Sequence, residues 1–335
     1  MGWRFSIFLF LLGSVAQATC FHTVAITPPA DEVTPLNFNL PGLQIASLVD
    51  PTRSTGATLF YFPNGAYVNF DARGGSVASV ETTLLEEGGY SNQVDGIIFA
   101  GGSTMGLEAS GGVRRAIFNA RADGTIFDAI PSVPGAVVFD FGGRILPTND
   151  LRTYPDHAFG MELMNHLSGN TFSMGRTGAG ATTTVNKMGH RLWGGQGAAF
   201  RSYRWGRLFA AVVPNAMGDI LKSGQSLSNS YVTLPDPPAP TTVHPRENTT
   251  LSFLLTDVKL DRNQLKQLSK GVHAGMAQMI DPFHTAFDGD INFAASLGTG
   301  RAVTDAEVLL QIQIAATGLM REAIENSIRA SNRPR

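Results

Sequence analysis

The sequence predicts a mixed α+β fold. Apolar, β-branched and aromatic runs of strand length recur through most of the chain, and the last quarter carries two long segments whose apolar residues repeat at helical spacing. A third observation is the abundance of glycine, 37 residues without the three-residue period of a fibrous protein, which calls for tight turns and close backbone approaches. With 335 residues, 43% of them hydrophobic, the chain can bury a large core as one large or two ordinary domains. Formal net charge is −2 and no basic block exceeds a pair, which argues against nucleic acid as a partner.

Arg4, an apolar run over 5–12 and the Ala16-Gln17-Ala18 end have the three parts of a secretory signal, and the run is too short to span a bilayer. Removal of residues 1–18 is expected, giving a secreted or periplasmic chain with no membrane segment after signal removal. Cys20 is the single cysteine, so the fold must rely on its core rather than on an internal disulfide. Residues 19–57 are broken by Pro and Gly and lack helical period, so an irregular lead-in is expected. Residues 58–62 read as a strand, and Asn64-Gly65 as a hairpin turn into a second strand over 66–70. A buried strand over 96–100 feeds the glycine loop 101–107 and then a helix over 108–119. That order can cradle a phosphate, but the Walker lysine and the dinucleotide glycine pattern are both absent. Met105 stands where a nucleophile elbow needs glycine, so Ser103 is expected to form a wall of a site rather than to attack. Residues 134–142 read as a strand and turn. Residues 177–189 bring Lys187 into small, glycine-rich surroundings, and a strand near 210–215 ends on Asn215.

The stretch that organises the chain is 246–255, where a proline-rich segment gives way to an apolar run. Pro235, Pro237, Pro238, Pro240 and Pro245 each fix φ and remove a donor, so an exposed, mobile loop is expected there. Residues 251–258 should form a buried strand with Thr249 at its mouth. A Thr hydroxyl is a weak nucleophile unless a base sits beside it, and the α-amine of the same residue is such a base once the chain is cut ahead of it. Asn248-Thr249-Thr250 also has the form of a glycosylation sequon, and such residues are ordinary turn formers. Further on, 261–280 is an amphipathic helix with Leu265, Leu268, Val272, Met276 and Met279 on one side, and 305–329 is a last long helix. Between them, the segment from Asp288 starts like a calcium loop, but Phe293 and Thr299 stand where that loop needs Gly and Glu, so no metal is expected.

Taken in order, the loop and helix at 101–111, the 134–140 segment, Lys187, Asn215, Asn248-Thr249-Thr250-Leu251 and His284-Thr285-x-x-Asp288-Gly289-Asp290 resemble the DmpA family of self-processing aminopeptidases. The Asn-Thr junction and the Asp-Gly-Asp pair look more like its nylon-oligomer (6-aminohexanoate oligomer) endohydrolase branch. The resemblance implies an αββα sandwich of the N-terminal nucleophile hydrolase type, two sheets packed face to face between helical layers. It implies cleavage between Asn248 and Thr249 into fragments 19–248 and 249–335, with Thr249 as nucleophile and its new α-amine as base. Lys187 and Asn215 would then line the site, Asn215 stabilising the oxyanion, while Asp288 and Asp290 orient the nucleophile and Ser103 and Phe139 meet substrate. Phe139 is a departure, since some members carry Tyr there. Small peptides or amide oligomers are the implied substrates, without a cofactor, and the cleaved units are expected to assemble as homo-oligomers. Two rivals keep the residues but change the function: an acyltransferase of the ornithine acetyltransferase type, and a non-catalytic secreted binding protein glycosylated at Asn248.

Overall fold

The computed structural model describes residues 33–86, 89, 91–121, 130–144, 151–187, 191–221 and 248–332. The expected signal, Cys20 and the proline-rich segment lie outside them. Strand β3 (Gly56–Arg73) is 18 residues long and is shared by the two layers, or sheets, into which one continuous sheet, nine-stranded among the described residues, folds. Its first half pairs with β2 (Gln44–Val49) on one side and β5 (Gln93–Ala100) on the other, and its second half pairs with β15 (Asp290–Ser296). Beyond β5 lie β6 (Gly135–Val137) and β4 (Ser79–Val80). Beyond β15 lie β13 (Thr249–Thr256), β11 (Gly206–Asn215) and β10 (Gly197–Tyr203). Three small pairs complete the described strands: β1 (Thr34–Asn37) with β7 (Thr171–Met174), β8 (Thr184–Val185) with β9 (Leu192–Trp193), and β12 (Asp219–Ile220) with β14 (Ile280–Asp281).

Successive side chains of a strand point to opposite faces, so each central strand feeds two cores. Phe60, Phe99, Phe209, Phe253 and Phe293 meet between the sheets, where the rings of Phe60 and Phe253 are 4.4 Å apart. Their neighbours Leu59, Ile98 and Ala100 turn outward onto α1 (Glu108–Ala120) and α2 (His157–Leu163). On the other sheet Ala210, Leu254 and Ala294 turn outward under α3 (Arg262–Met276) and α4 (Ala306–Ser331). The result is a helix, sheet, sheet, helix stack, the αββα sandwich that the resemblance implies. Among the described residues no helix is long and apolar enough to cross a membrane.

Three expectations are corrected. The lead-in over 19–57 is not irregular where it is described, since β1 and β2 occupy it, with Pro35 inside β1 and Pro41 and Pro51 in the connections on either side of β2. Asn64-Gly65 is not a hairpin turn: β3 continues through it, with Gly65 at φ 72° and a register shift against β5 between Tyr61 and Ala66. An irregularity of this kind bends a strand without ending it, which lets β3 pass from one sheet to the other. The helix expected over 261–280 ends at Met276, because Ile280 leaves to pair with Ile220. Its start is sharp, since Asp261 accepts from Gln264 N while the Gln264 side chain returns to the Asp261 N–H.

Candidate active site

Thr249 is the first residue of β13, the strand held antiparallel to β11 and parallel to β15. The β11 register sets Thr249 opposite Asn215. On the other side Asn248 bridges to Asp288, two residues ahead of β15, so Thr249 lies beside Gly289. The fold therefore gathers Asn215, Asn248, Thr249, Asp288 and Asp290 at one strand start, and all five are buried.

The Asn248 carbonyl oxygen accepts from two donors, the Thr249 hydroxyl at 2.5 Å and the Gly289 N–H at 2.9 Å. A Cβ at position 289 would lie 2.5 Å from the Ser76 carbonyl oxygen and 3.0 Å from Thr249 Oγ1, so only glycine allows this approach. The Gly289 N–H polarises this carbonyl and can stabilise negative charge developing on its oxygen, while the Thr249 hydroxyl is held against the same group.

Lys187 reaches the cluster because its segment folds back on 217–218, with the N–H groups of Asn186 and Lys187 donating to the Gly218 and Met217 carbonyls. The buried Lys187 ammonium donates to the Asn215 carbonyl at 2.9 Å and to Asn215 Oδ1 at 3.2 Å. Oδ1 also accepts from Thr184 N at 3.1 Å, while Nδ2 donates to the Phe139 carbonyl at 2.9 Å. Asn215 is thereby fixed in one orientation, with an amide hydrogen committed to Phe139.

Neither carboxylate is hydrogen-bonded to the Thr249 side chain among the described residues; each takes main-chain and side-chain donors from nearby loops and strand starts. Asp288 Oδ2 accepts from Thr285 N and Oγ1 at 2.8 and 2.6 Å, and Oδ1 from Met217 N at 3.5 Å. Asp290 Oδ1 accepts from Thr250 N at 2.6 Å, and Oδ2 from His284 Nδ1 at 2.8 Å and His284 N at 3.2 Å. Burial pushes the Asp290 carboxyl above its usual range, against the lowering effect of the His284 hydrogen bond.

Phe139 joins the site through its carbonyl, and its ring rests edge-on against Phe141 at 5.0 Å. Ser103 is one step removed: its N–H donates to the Val138 carbonyl at 2.9 Å, and its hydroxyl makes no hydrogen bond to the Thr249 cluster among the described residues. Sequence reasoning overlooked Asp140, whose carboxylate accepts from Gly102 N at 3.0 Å, Thr55 Oγ1 at 2.6 Å and Arg144 at 2.9 Å, fastening the glycine loop. It also gave no role to His284 or to the Gly289 N–H. The signal for the latter was a glycine held between two acids, a mark of close backbone approach.

Stacked helix, sheet, sheet and helix layers give the chain the fold of the N-terminal nucleophile hydrolases. The chain belongs to peptidase family S58, whose description it matches over residues 42–334. It is 34% identical over 284 residues to the 6-aminohexanoate-oligomer endohydrolase of Paenarthrobacter ureafaciens, covering 78% of this chain and 74% of that one. The fold is shared with a Burkholderia sp. beta-aminopeptidase, TM-score 0.67 at 17% identity, over 93% of this chain and 91% of that chain. It is shared too with the L-aminopeptidase D-Ala-esterase/amidase of Ochrobactrum anthropi, described as a variant of the Ntn hydrolase fold, with TM-score 0.63 at 16% identity over 88% and 85% of the two chains.

Proposed function

We propose that the chain is an exported, self-processing hydrolase of small amide or peptide substrates, in which cleavage between Asn248 and Thr249 frees Thr249 as nucleophile. The observation that carries this reading is the Asn248 carbonyl, held by the Gly289 N–H with the Thr249 hydroxyl already upon it. In maturation Thr249 Oγ1 attacks the Asn248 carbonyl carbon. The C–N bond breaks, an ester to Oγ1 forms, and the hydroxyl proton passes to the departing Thr249 nitrogen. Water then hydrolyses the ester, releasing the Asn248 carboxylate and leaving both hydroxyl and amine free on Thr249. In turnover that amine, with an ordinary pKa of about 7.7–8.0, takes the hydroxyl proton as Oγ1 attacks a substrate amide. The leaving amine takes the proton, and water resolves the acyl-enzyme.

In this reading Lys187, against the main chain opposite Thr249, disfavours a second positive charge on the amine and so raises its neutral fraction. Asn215 donates to the oxyanion, a contribution of about 3 to 4 kcal/mol in hydrolases where such a donor has been removed. Likeness to the oligomer endohydrolases favours linear amides such as 6-aminohexanoate oligomers as first substrates to try. The test is N-terminal sequencing and amide hydrolysis by wild type, Thr249→Ala and Thr250→Ala. Wild type should yield a chain beginning at Thr249. Thr249→Ala should stay uncut and inactive, while Thr250→Ala, whose hydroxyl is buried with no partner among the described residues, should still process. An active, uncut wild type would overturn the mechanism.

A further inference from the structure

We propose that His284 is a positioning residue for this site: its Nδ1–H donates to Asp290 and keeps that buried group in the carboxylate form, by which Asp290 grips the start of β13 at Thr250. The inference rests on the reading of Thr249 as nucleophile. His284 sits at φ 60°, a left-handed conformation that histidine adopts more readily than most residues, and there its main-chain N–H and its ring both address Asp290 Oδ2. The ring lies 3.8 Å from that of Phe283 and 4.7 Å from that of His273, which fixes its plane.

The proton can be placed by elimination. The Thr250 and His284 main-chain N–H groups can only donate, so both Asp290 oxygens already act as acceptors. Were the carboxyl protonated toward His284, the neutral ring would carry its hydrogen on Nε2. Nε2 is buried and has no acceptor among the described residues. A buried N–H without a partner is rarer and costlier than a spare lone pair, so the hydrogen belongs on Nδ1 and Asp290 is ionised.

The surrounding groups leave this bond intact. His273 of α3 donates from Nε2 to the Asp71 carbonyl at 2.9 Å, and burial pushes its pKa down to about 4, so it is neutral near pH 7. Asp71 of β3 is balanced by Arg73 at 2.6 Å and by Lys266 of α3 at 3.8 Å. Asp288 faces Asp290 with like charge and makes its ionised form harder to keep. Thus Asp290 depends on His284 for its nearest side-chain donor.

Two measurements test this. In the wild-type protein, ¹⁵N-labelled histidine, assigned by the signals lost in His284→Asn, should show His284 protonated on Nδ1 and bare on Nε2; the reverse tautomer overturns the proposal. Separately, kcat/KM for an aminoacyl p-nitroanilide is followed against pH. His284→Ala should move the acid limb upward by about one unit, the usual size of an environmental shift, with activity recovering as pH rises and Asp290 ionises. His284→Asn should restore the limb, because Asn tolerates positive φ and offers an N–H to Oδ2. Loss of activity by one constant factor at every pH, or an unchanged profile in His284→Ala, overturns the proposal. Thr249→Ala is run alongside: activity there sinks the nucleophile reading without touching the tautomer, so the two failures are told apart.

Discussion

Asn248 offers the site its carbonyl and hides its side chain. With 1% of its surface exposed and its carboxamide inside the fold, it leaves no room for a glycan in the folded chain, which counts against the glycosylated binding protein. A second buried residue gives a measurable pH dependence. His273 has a folded pKa of about 4, with burial as the largest cause, whereas the unfolded value is near 6.5. Its contribution to stability is whole above pH 6.5 and is lost as pH falls toward 4, because the unfolded chain takes up the proton first. Asp290 has the opposite sign: its carboxyl is raised, so its burial weighs against folding increasingly as pH rises through the folded pKa. His273→Phe separates the two. Wild type should lose about 2 kcal/mol between pH 7 and pH 5 through His273 alone. In urea titrations at both pH values that fall should vanish in the variant, and an identical fall would mean that other groups govern acid stability.

At the scale of elements, legibility followed periodicity. β13 stood out as an apolar run of strand length buried on both faces, α3 and α4 through apolar residues at helical spacing, and α1 through its place after a strand and glycine loop, while Lys187, Asn215, Thr249, Asp288 and Asp290 stood out through a resemblance spread along the chain. β2 was hidden because it contributes residues to both faces and shows no clean alternation. The course of β3 was hidden because Asn64-Gly65 has the same local chemistry as a hairpin turn, and only pairing with β15 decides that the strand continues. Two substitutions probe these elements. Phe253→Ala, between the sheets, should cost about 3–5 kcal/mol by deleting a buried ring that its neighbours cannot fully replace. Asp261→Ala removes the cap of α3, which follows the end of β13 opposite to Thr249, and should cost about 1 kcal/mol with kcat/KM unchanged. Chemical denaturation and steady-state kinetics check both, and a fall in kcat/KM for Asp261→Ala would mean that the α3 start influences the site.

For the whole molecule, the proposed cut falls where it changes chemistry without dividing the core. Residues 249–332 supply β13 and β15, adjacent strands placed between β11 and β3 of the preceding segment, together with α3 and α4. Hydrogen bonds along β11 to β13 and β15 to β3 would therefore tie the two fragments together on both sides of the inserted pair. The interior between the sheets joins them as well, since Phe253 and Phe293 from one fragment pack among Phe60, Phe99 and Phe209 from the other. Separation would expose these rings and leave strand edges unpaired, at a cost comparable to unfolding. The cleaved protein should thus give two bands under denaturing conditions, the smaller beginning at Thr249, yet elute as one species from a native sizing column. Its urea unfolding should follow a single transition by both fluorescence and circular dichroism, with the fragments parting only within it. If native chromatography alone separated them, the cut would have to lie elsewhere, or β13 would not be held as a central strand after cleavage.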